Sequence, residues 1–181
     1  MEVVYTGIEG LLLIKPRVFG DERGYFVETY NRETFFRSTG QNIEWKQDNE
    51  SGSSKGVLRG MHFQLPPRAQ DKLVRVSRGS VFDVAVDIRS GSPTYGHWYG
   101  VTLSAENKWQ LLVPKGFAHG FQVLEDNTVF VYKCSDTYSP ESERNIRWND
   151  ADVGIAWPLD EPVLSERDSM APLLREIQTP F

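Results

Sequence analysis

The feature that most constrains this chain is a rhythm of short apolar runs, about one every ten residues, separated by glycine or proline. The runs are Leu11–Ile14, Ile43–Asp48, Val57–Phe63, Leu73–Ser77, Ser80–Ile88, Trp98–Leu103, Trp109–Val113, Phe117–Leu124 and Thr128–Ser135. Gly79, Gly91-Ser92-Pro93, Gly96, Gly100 and Pro114-Lys115-Gly116 stand between them. Each run is too short for a stable helix but suits a strand, and several alternate with period two. Val81, Asp83, Ala85 and Asp87 alternate with Phe82, Val84, Val86 and Ile88, giving one apolar face and one polar or small face. The expectation is an all-β fold, an antiparallel jelly-roll barrel or sandwich with a few short helices, rather than a βαβ fold.

Helical signals are few. Asn31 can cap a short helix through Arg37, with Phe35 and Phe36 on one side and Gly40 ending it. Ser165 can cap another, with Asp168 at its third position. Lys15-Pro16 stops the first strand, and Arg17–Tyr25, holding Gly20-Asp21-Glu22-Arg23-Gly24, reads as a polar loop. No composition shift marks a boundary, so residues 1–181 are expected to form a single domain.

Composition narrows the function. The net charge is −5 with no Lys/Arg-rich block, which argues against a nucleic-acid partner, although local cationic clusters could hold a phosphorylated small molecule. The longest early apolar stretch, Leu11-Leu12-Leu13-Ile14, is far too short to span a bilayer, so no membrane association is expected. The N-terminus shows neither a basic region nor a long apolar one, so no secretory signal is read and the cytoplasm is the expected compartment. The one cysteine, Cys134, excludes an internal disulfide and reads as a small buried strand residue. No Gly-x-Gly-x-x-Gly follows a strand, so a dinucleotide fold has no support.

Two histidine segments carry chemistry. In Arg59-Gly60-Met61-His62-Phe63-Gln64, alternation sends His62 to the face of Gly60 and Gln64, opposite Met61 and Phe63. His62 then reads either as a structural histidine or as a group in a polar barrel pocket. In Val113 to Phe121, a Pro-x-Gly turn precedes a strand carrying His119, a pattern similar to the second half of a cupin signature. Metal-binding cupins also need His-x-His and a Glu in their first half; here that position reads His62-Phe63-Gln64. His97 lies near a turn with no ligand spacing, so neither a metal nor a cofactor is expected.

Without a metal the pocket must work by acid–base chemistry, for which histidine is suited near neutral pH. Lys72, Tyr132, Asp168 and Asp83 are candidate partners of His62. Lys72 could stabilise an oxyanion or be a solvated charge, and Tyr132, on the face of Phe130 and Cys134, could be a proton donor or a core residue.

Taken together, several runs resemble the dTDP-4-dehydrorhamnose 3,5-epimerase family. They are Gly24–Glu28, Gln47-Asp48-Asn49, Gly56–Gln64, Asp71–Arg75, Val81–Arg89, Leu103–Asn107, Pro114–Phe121 and Trp148-Asn149-Asp150, in order across residues 5 to 175. The resemblance implies a metal-free, cupin-like homodimer. It would invert C3 and C5 of a deoxythymidine-diphosphate 4-keto-6-deoxyhexose, a step of dTDP-L-rhamnose biosynthesis that serves surface polysaccharide. It implies that His62 with Asp168 is the base, Tyr132 the acid that reprotonates, and Lys72 the holder of the C4 oxygen. It also implies that Arg23 and Arg59 meet the diphosphate, that Glu28, Gln47, Asp48, Asn49 and Glu143 make polar contacts to the nucleotide, and that Tyr138 stacks on thymine. His119 would enter the sugar pocket, and Arg167 would be a basic contact near the C-terminus. Related readings are an epimerase acting at one carbon, a metal-dependent cupin oxygenase or isomerase, and a non-catalytic sugar-binding cupin.

Overall fold

A computed structural model describes residues 1–181. Two antiparallel sheets face each other. The first has six strands in the order β1 (Glu2–Tyr5), β2 (Leu12–Lys15), β10 (Gln110–Val113), β7 (Lys72–Arg78), β12 (Thr128–Cys134) and β5 (Gln47–Ser53). The second has the order β13 (Glu143–Asn145), β6 (Leu58–Gln64), β11 (Phe117–Val123), β8 (Ser80–Asp87) and β9 (Trp98–Ser104). A hairpin of β3 (Val18–Asp21) and β4 (Gly24–Val27) stands apart from both. The all-β antiparallel expectation therefore holds, and strand addresses decide where each side chain points.

The core between the sheets is built from inward residues of both layers, among them Leu11, Leu13, Val74, Val76, Val81, Ala85, Leu111, Phe121 and Phe130. The outward faces are also covered. Met61, Phe63, Val84, Val86 and Ile88 pack under the C-terminal segment through Ile146, Val153 and Leu174. Helix α1 (Arg32–Thr39) covers Leu12, Ile14, Leu73 and Leu112 with Phe35. Asn31 caps it by accepting from Thr34 N, and Gly40 ends it with φ 72°. Glycine there avoids the steric penalty of the left-handed region. Strand β8 is consequently buried on both faces, and its polar face, with Asp83 and Asp87 wholly enclosed, looks inward or into a turn rather than at water.

Asp87 shows how such a carboxylate is accommodated. It accepts from the Arg89 guanidinium at 2.8 and 2.7 Å, from Ser92 at 2.6 Å and from Thr94 at 2.7 Å. Burial alone would raise its pKa, but these bonds outweigh burial and hold the carboxyl down to about 2. A folded-state pKa below the ordinary 3.8 adds stability that is present above that value and disappears as pH falls through about 2. Denaturant titrations of Asp87→Asn between these pH values are expected to show a flatter loss of stability than the unsubstituted protein; parallel curves would contradict this.

Three features depart from the sequence reading. Residues 17–25, read as a loop, form the β3–β4 hairpin, because Val18, Phe19, Tyr25 and Phe26 are strand formers flanking the turn, where Asp21 accepts from Arg23 N. The strand expected at Ile43–Asp48 is shifted to Gln47–Ser53. This polar stretch has no apolar alternation of its own and is held by seven pairings to β12. Strands β1 and β13, too short to announce themselves, complete the sheet edges.

Candidate active site

Strands β6 and β11 approach unusually closely beside the two histidines. A Cβ on Gly60 would lie 2.6 Å from Gly120 Cα, and one on Gly120 would lie 2.6 Å from Met61 Sδ and 2.8 Å from Arg59 O. The register shifts between His119 and Phe121, and His119 is the direct cross-strand partner of His62. Only a pair of glycines lets these backbones meet, and their meeting sets both rings on one wall. Gly120→Ala is expected to cost about 1–3 kcal/mol, as overpacking does. Turnover should fall with stability, since both histidines are displaced; a denaturation midpoint equal to that of the unsubstituted protein would contradict the close-contact account.

Alternation delivers the side chains. Met61 and Phe63 go to the outer cluster, and His62 goes inward. Across the gap, β12 turns Phe130 and Tyr132 inward, and β7 contributes Lys72 at its first position. These residues line a cavity of about 460 Å³ together with Arg59, His119, Arg167 and Asp168. A second cavity of about 330 Å³, lined by Gln47, Asn49, Gln64, Tyr138 and Glu143, shares His62, Lys72 and Tyr132 with it. The three residues stand where the two spaces meet.

The C-terminal segment supplies the carboxylate. Ser165 caps the four-residue helix α2 (Glu166–Ser169) by accepting from Asp168 N at 3.1 Å. The cap is not reciprocated: the Asp168 carboxylate does not reach back to Ser165 N but meets His62 Nε2 at 2.6 Å and accepts from Gly60 N at 3.5 Å. Burial pushes the Asp168 carboxyl up, but the His62 hydrogen bond and charge, with Gly60 and Ser165, bring it below the usual carboxylate range. An ionised carboxylate only accepts, so Nε2 carries the hydrogen, and in the neutral ring Nδ1 of His62 has the free lone pair.

Tyr132 and Lys72 are tuned by enclosure. Burial raises the Tyr132 phenol above the ordinary tyrosine value, reinforced by Cys134 and opposed by Arg59, so it holds a proton to give at neutral pH. Burial lowers the Lys72 ammonium, with Cys134, Glu143 and Asp83 pulling the other way. Lys72 Nζ donates to His62 O at 3.4 Å, which anchors it beside the histidine.

At the other end, Tyr138 Oη and Arg167 Nη1 both donate to Glu143 Oε2, at 2.6 and 2.5 Å. Gln47 accepts from Tyr138 N and donates to Asn49, both at 2.8 Å. Arg59 Nε donates to Ser53 Oγ at 3.2 Å.

Not every residue named from the sequence converges here. Asp48 is directed by alternation to the outer face of β5, paired with Lys133 at 2.9 Å, so its side chain does not line either cavity. Arg23 sits at the hairpin turn, paired with Asp21, and Glu28 is exposed and accepts from Asn31 at 3.3 Å; neither lines the cavity of its own chain. Asp83, weighed as a partner of His62, bonds instead to His119. His97 is exposed, and Cys134 is buried. Gly60 and Gly120 are structural determinants of the site that the sequence reading did not assign, whereas the Ser165 cap was expected. For the glycines the usable signal was their occurrence one or two residues from each histidine. No group of three or more His, Cys, Asp or Glu is placed to hold a metal ion.

A jelly roll with a carboxylate-held imidazole on one layer and a phenol on the other has the groups that an isomerase working by proton transfer needs. A family model described as dTDP-4-dehydrorhamnose 3,5-epimerase matches residues 5–176, and the chain belongs to that family. A dTDP-4-dehydrorhamnose 3,5-epimerase from Shigella flexneri is 55% identical over 168 residues, covering 93% of each chain. The structure of an epimerase from Elizabethkingia anophelis superposes with a TM-score of 0.93 at 49% identity, covering 97% of each chain. A Legionella pneumophila dTDP-6-deoxy-D-glucose-3,5-epimerase, solved with dTDP-4-keto-L-rhamnose, superposes with a TM-score of 0.94 at 50% identity, covering 98% of this chain and 94% of that one.

Proposed function

We propose that the chain converts dTDP-4-dehydro-6-deoxy-D-glucose to dTDP-4-dehydro-L-rhamnose by inverting C3 and C5. The observation that carries this is the opposition of His62 on the five-stranded sheet and Tyr132 on the six-stranded sheet across one cavity. The C4 ketone acidifies the hydrogens on both neighbouring carbons. The bare Nδ1 of His62 removes one as general base, and Asp168 holds the ring and stabilises the imidazolium. Charge moves to the C4 oxygen, where the Lys72 ammonium receives it. Tyr132 returns a proton from the other layer, and delivery from the opposite face is what inverts the centre.

The nucleotide would extend along the second cavity. Guanidinium groups of Arg59 and Arg167 suit diphosphate oxygens, and the half-exposed ring of Tyr138 suits a stacked thymine. Gln47, Asn49 and Glu143 offer polar contacts around it. The same proposal includes a cytoplasmic homodimer. The hairpin exposes Phe19, Tyr25 and Phe26 and carries Arg23, with Glu28 just beyond it, away from the cavity of their own chain; a second copy would cover these rings and receive these charges. No helix is long and apolar enough to cross a membrane.

Incubating the 4-keto sugar nucleotide with enzyme in heavy water tests the reaction. Deuterium should enter at both C3 and C5, with turnover unchanged by a chelator. Incorporation at C3 alone would reduce the activity to a single-centre epimerase, and chelator-sensitive turnover restored by a metal would replace acid–base catalysis with a metal-dependent reaction.

A further inference from the structure

The second histidine of the wall repeats the construction of the first. His119 pairs directly with His62 across β6 and β11, and its Nε2 lies 3.1 and 3.0 Å from the two carboxylate oxygens of Asp83 on β8. Asp83 is 0% exposed, and its carboxylate has no other hydrogen-bond partner. Its neighbours on the same strand face, Val81 and Ala85, belong to the apolar core, so a valine here would satisfy packing alone. A buried carboxylate is a poor device for stability, and its use suggests a need for orientation.

The orientation can be read atom by atom. An ionised carboxylate accepts and does not donate, so Nε2 of His119 carries the hydrogen and Nδ1 is left with a lone pair. Phe130 stacks on the ring, with centroids 6.1 Å apart and planes 23° apart, which restrains rotation. Nδ1 has no protein partner, yet the only enclosed polar side-chain atom lacking one is Trp45 Nε1. Nδ1 is therefore open to the cavity that His119 lines.

We infer that Asp83 is a positioning residue: it fixes His119 as the Nε2–H tautomer, so that Nδ1 accepts a hydrogen bond from a hexose hydroxyl. A lone pair attracts a hydroxyl and repels a carbonyl oxygen. This wall thus takes the hydroxyl side of the sugar and leaves the C4 carbonyl to Lys72, which fixes the orientation of the ring over His62. The inference rests on the proposed sugar-nucleotide substrate.

Nitrogen-15 NMR of histidine-labelled enzyme reads the tautomer directly, because the chain has only 3 histidines to assign. The unsubstituted protein should show His119 with Nε2 protonated and Nδ1 bare. Asp83→Val, which removes the acceptor facing Nε2, should shift the proton to Nδ1 on the cavity side and raise KM for the keto sugar about 10- to 100-fold, while affinity for dTDP alone stays the same. A protonated Nδ1 in the unsubstituted enzyme overturns the inference without recourse to any variant. So does an Asp83→Val enzyme in which either the tautomer or KM is unmoved. An enzyme that does not turn over the keto sugar at all would refute the proposed reaction instead, and the NMR result would still report on Asp83.

Discussion

His62→Asn is expected to bind dTDP with unchanged affinity and to lose turnover by roughly 10³–10⁴-fold, the scale of a positioned general base. Asparagine fills similar space and can still meet Asp168, but its amide nitrogen has no lone pair for a carbon-bound hydrogen. The two measurements are titration calorimetry with dTDP and single-turnover rates with the 4-keto sugar nucleotide. Turnover within tenfold of the unsubstituted enzyme would remove His62 as the base. Loss of dTDP binding together with activity would point to a collapsed pocket, and Asp168→Asn would then separate orientation from folding.

Tyr132→Phe is expected to uncouple the two halves of the reaction. The base and its carboxylate are on the other layer and remain in place, so hydrogens next to the ketone still exchange with heavy water. Without the phenol, reprotonation falls back on the face from which the proton left. Inverted product should therefore form about 10²–10⁴-fold more slowly, while deuterium washes into unreacted substrate. Comparing the isotope content of recovered substrate with the yield of product checks this. Product formation at the original rate would assign the acid elsewhere in the cavity.

Much of this was legible before any coordinates. Strands β6, β8, β11 and β12 follow apolar runs, and the faces of His62 and Tyr132 came from alternation along β6 and β12. The Ser165 cap was legible because a side-chain oxygen three residues before Asp168 is a local signal. What could not be read was register. His62 and Asp168 are 106 positions apart, and nothing local tells a histidine which distant carboxylate it will meet. From the residues alone Asp83 and Asp168 were both candidates; the family resemblance pointed to Asp168, and the fold gives Asp83 to His119. Strand β5 was misplaced because Gln47–Ser53 is polar throughout and owes its conformation to β12. That shift also explains Asp48: treating Gln47-Asp48-Asn49 as one block ignored that neighbours on a strand face opposite ways.

The unreciprocated cap at Ser165 has a consequence for how this enzyme fails. The imidazole is built into the barrel, but its carboxylate arrives on a four-residue helix held by the cap, by Val163 against Val57 and Leu58, and by Arg167 against Glu143. Such a short helix has no intrinsic persistence and lasts only while its few anchors do. Local fraying of residues 163–169 separates the dyad while the two sheets remain folded. Activity is therefore expected to be lost on warming before the barrel melts, with the tail's anchorage setting the temperature.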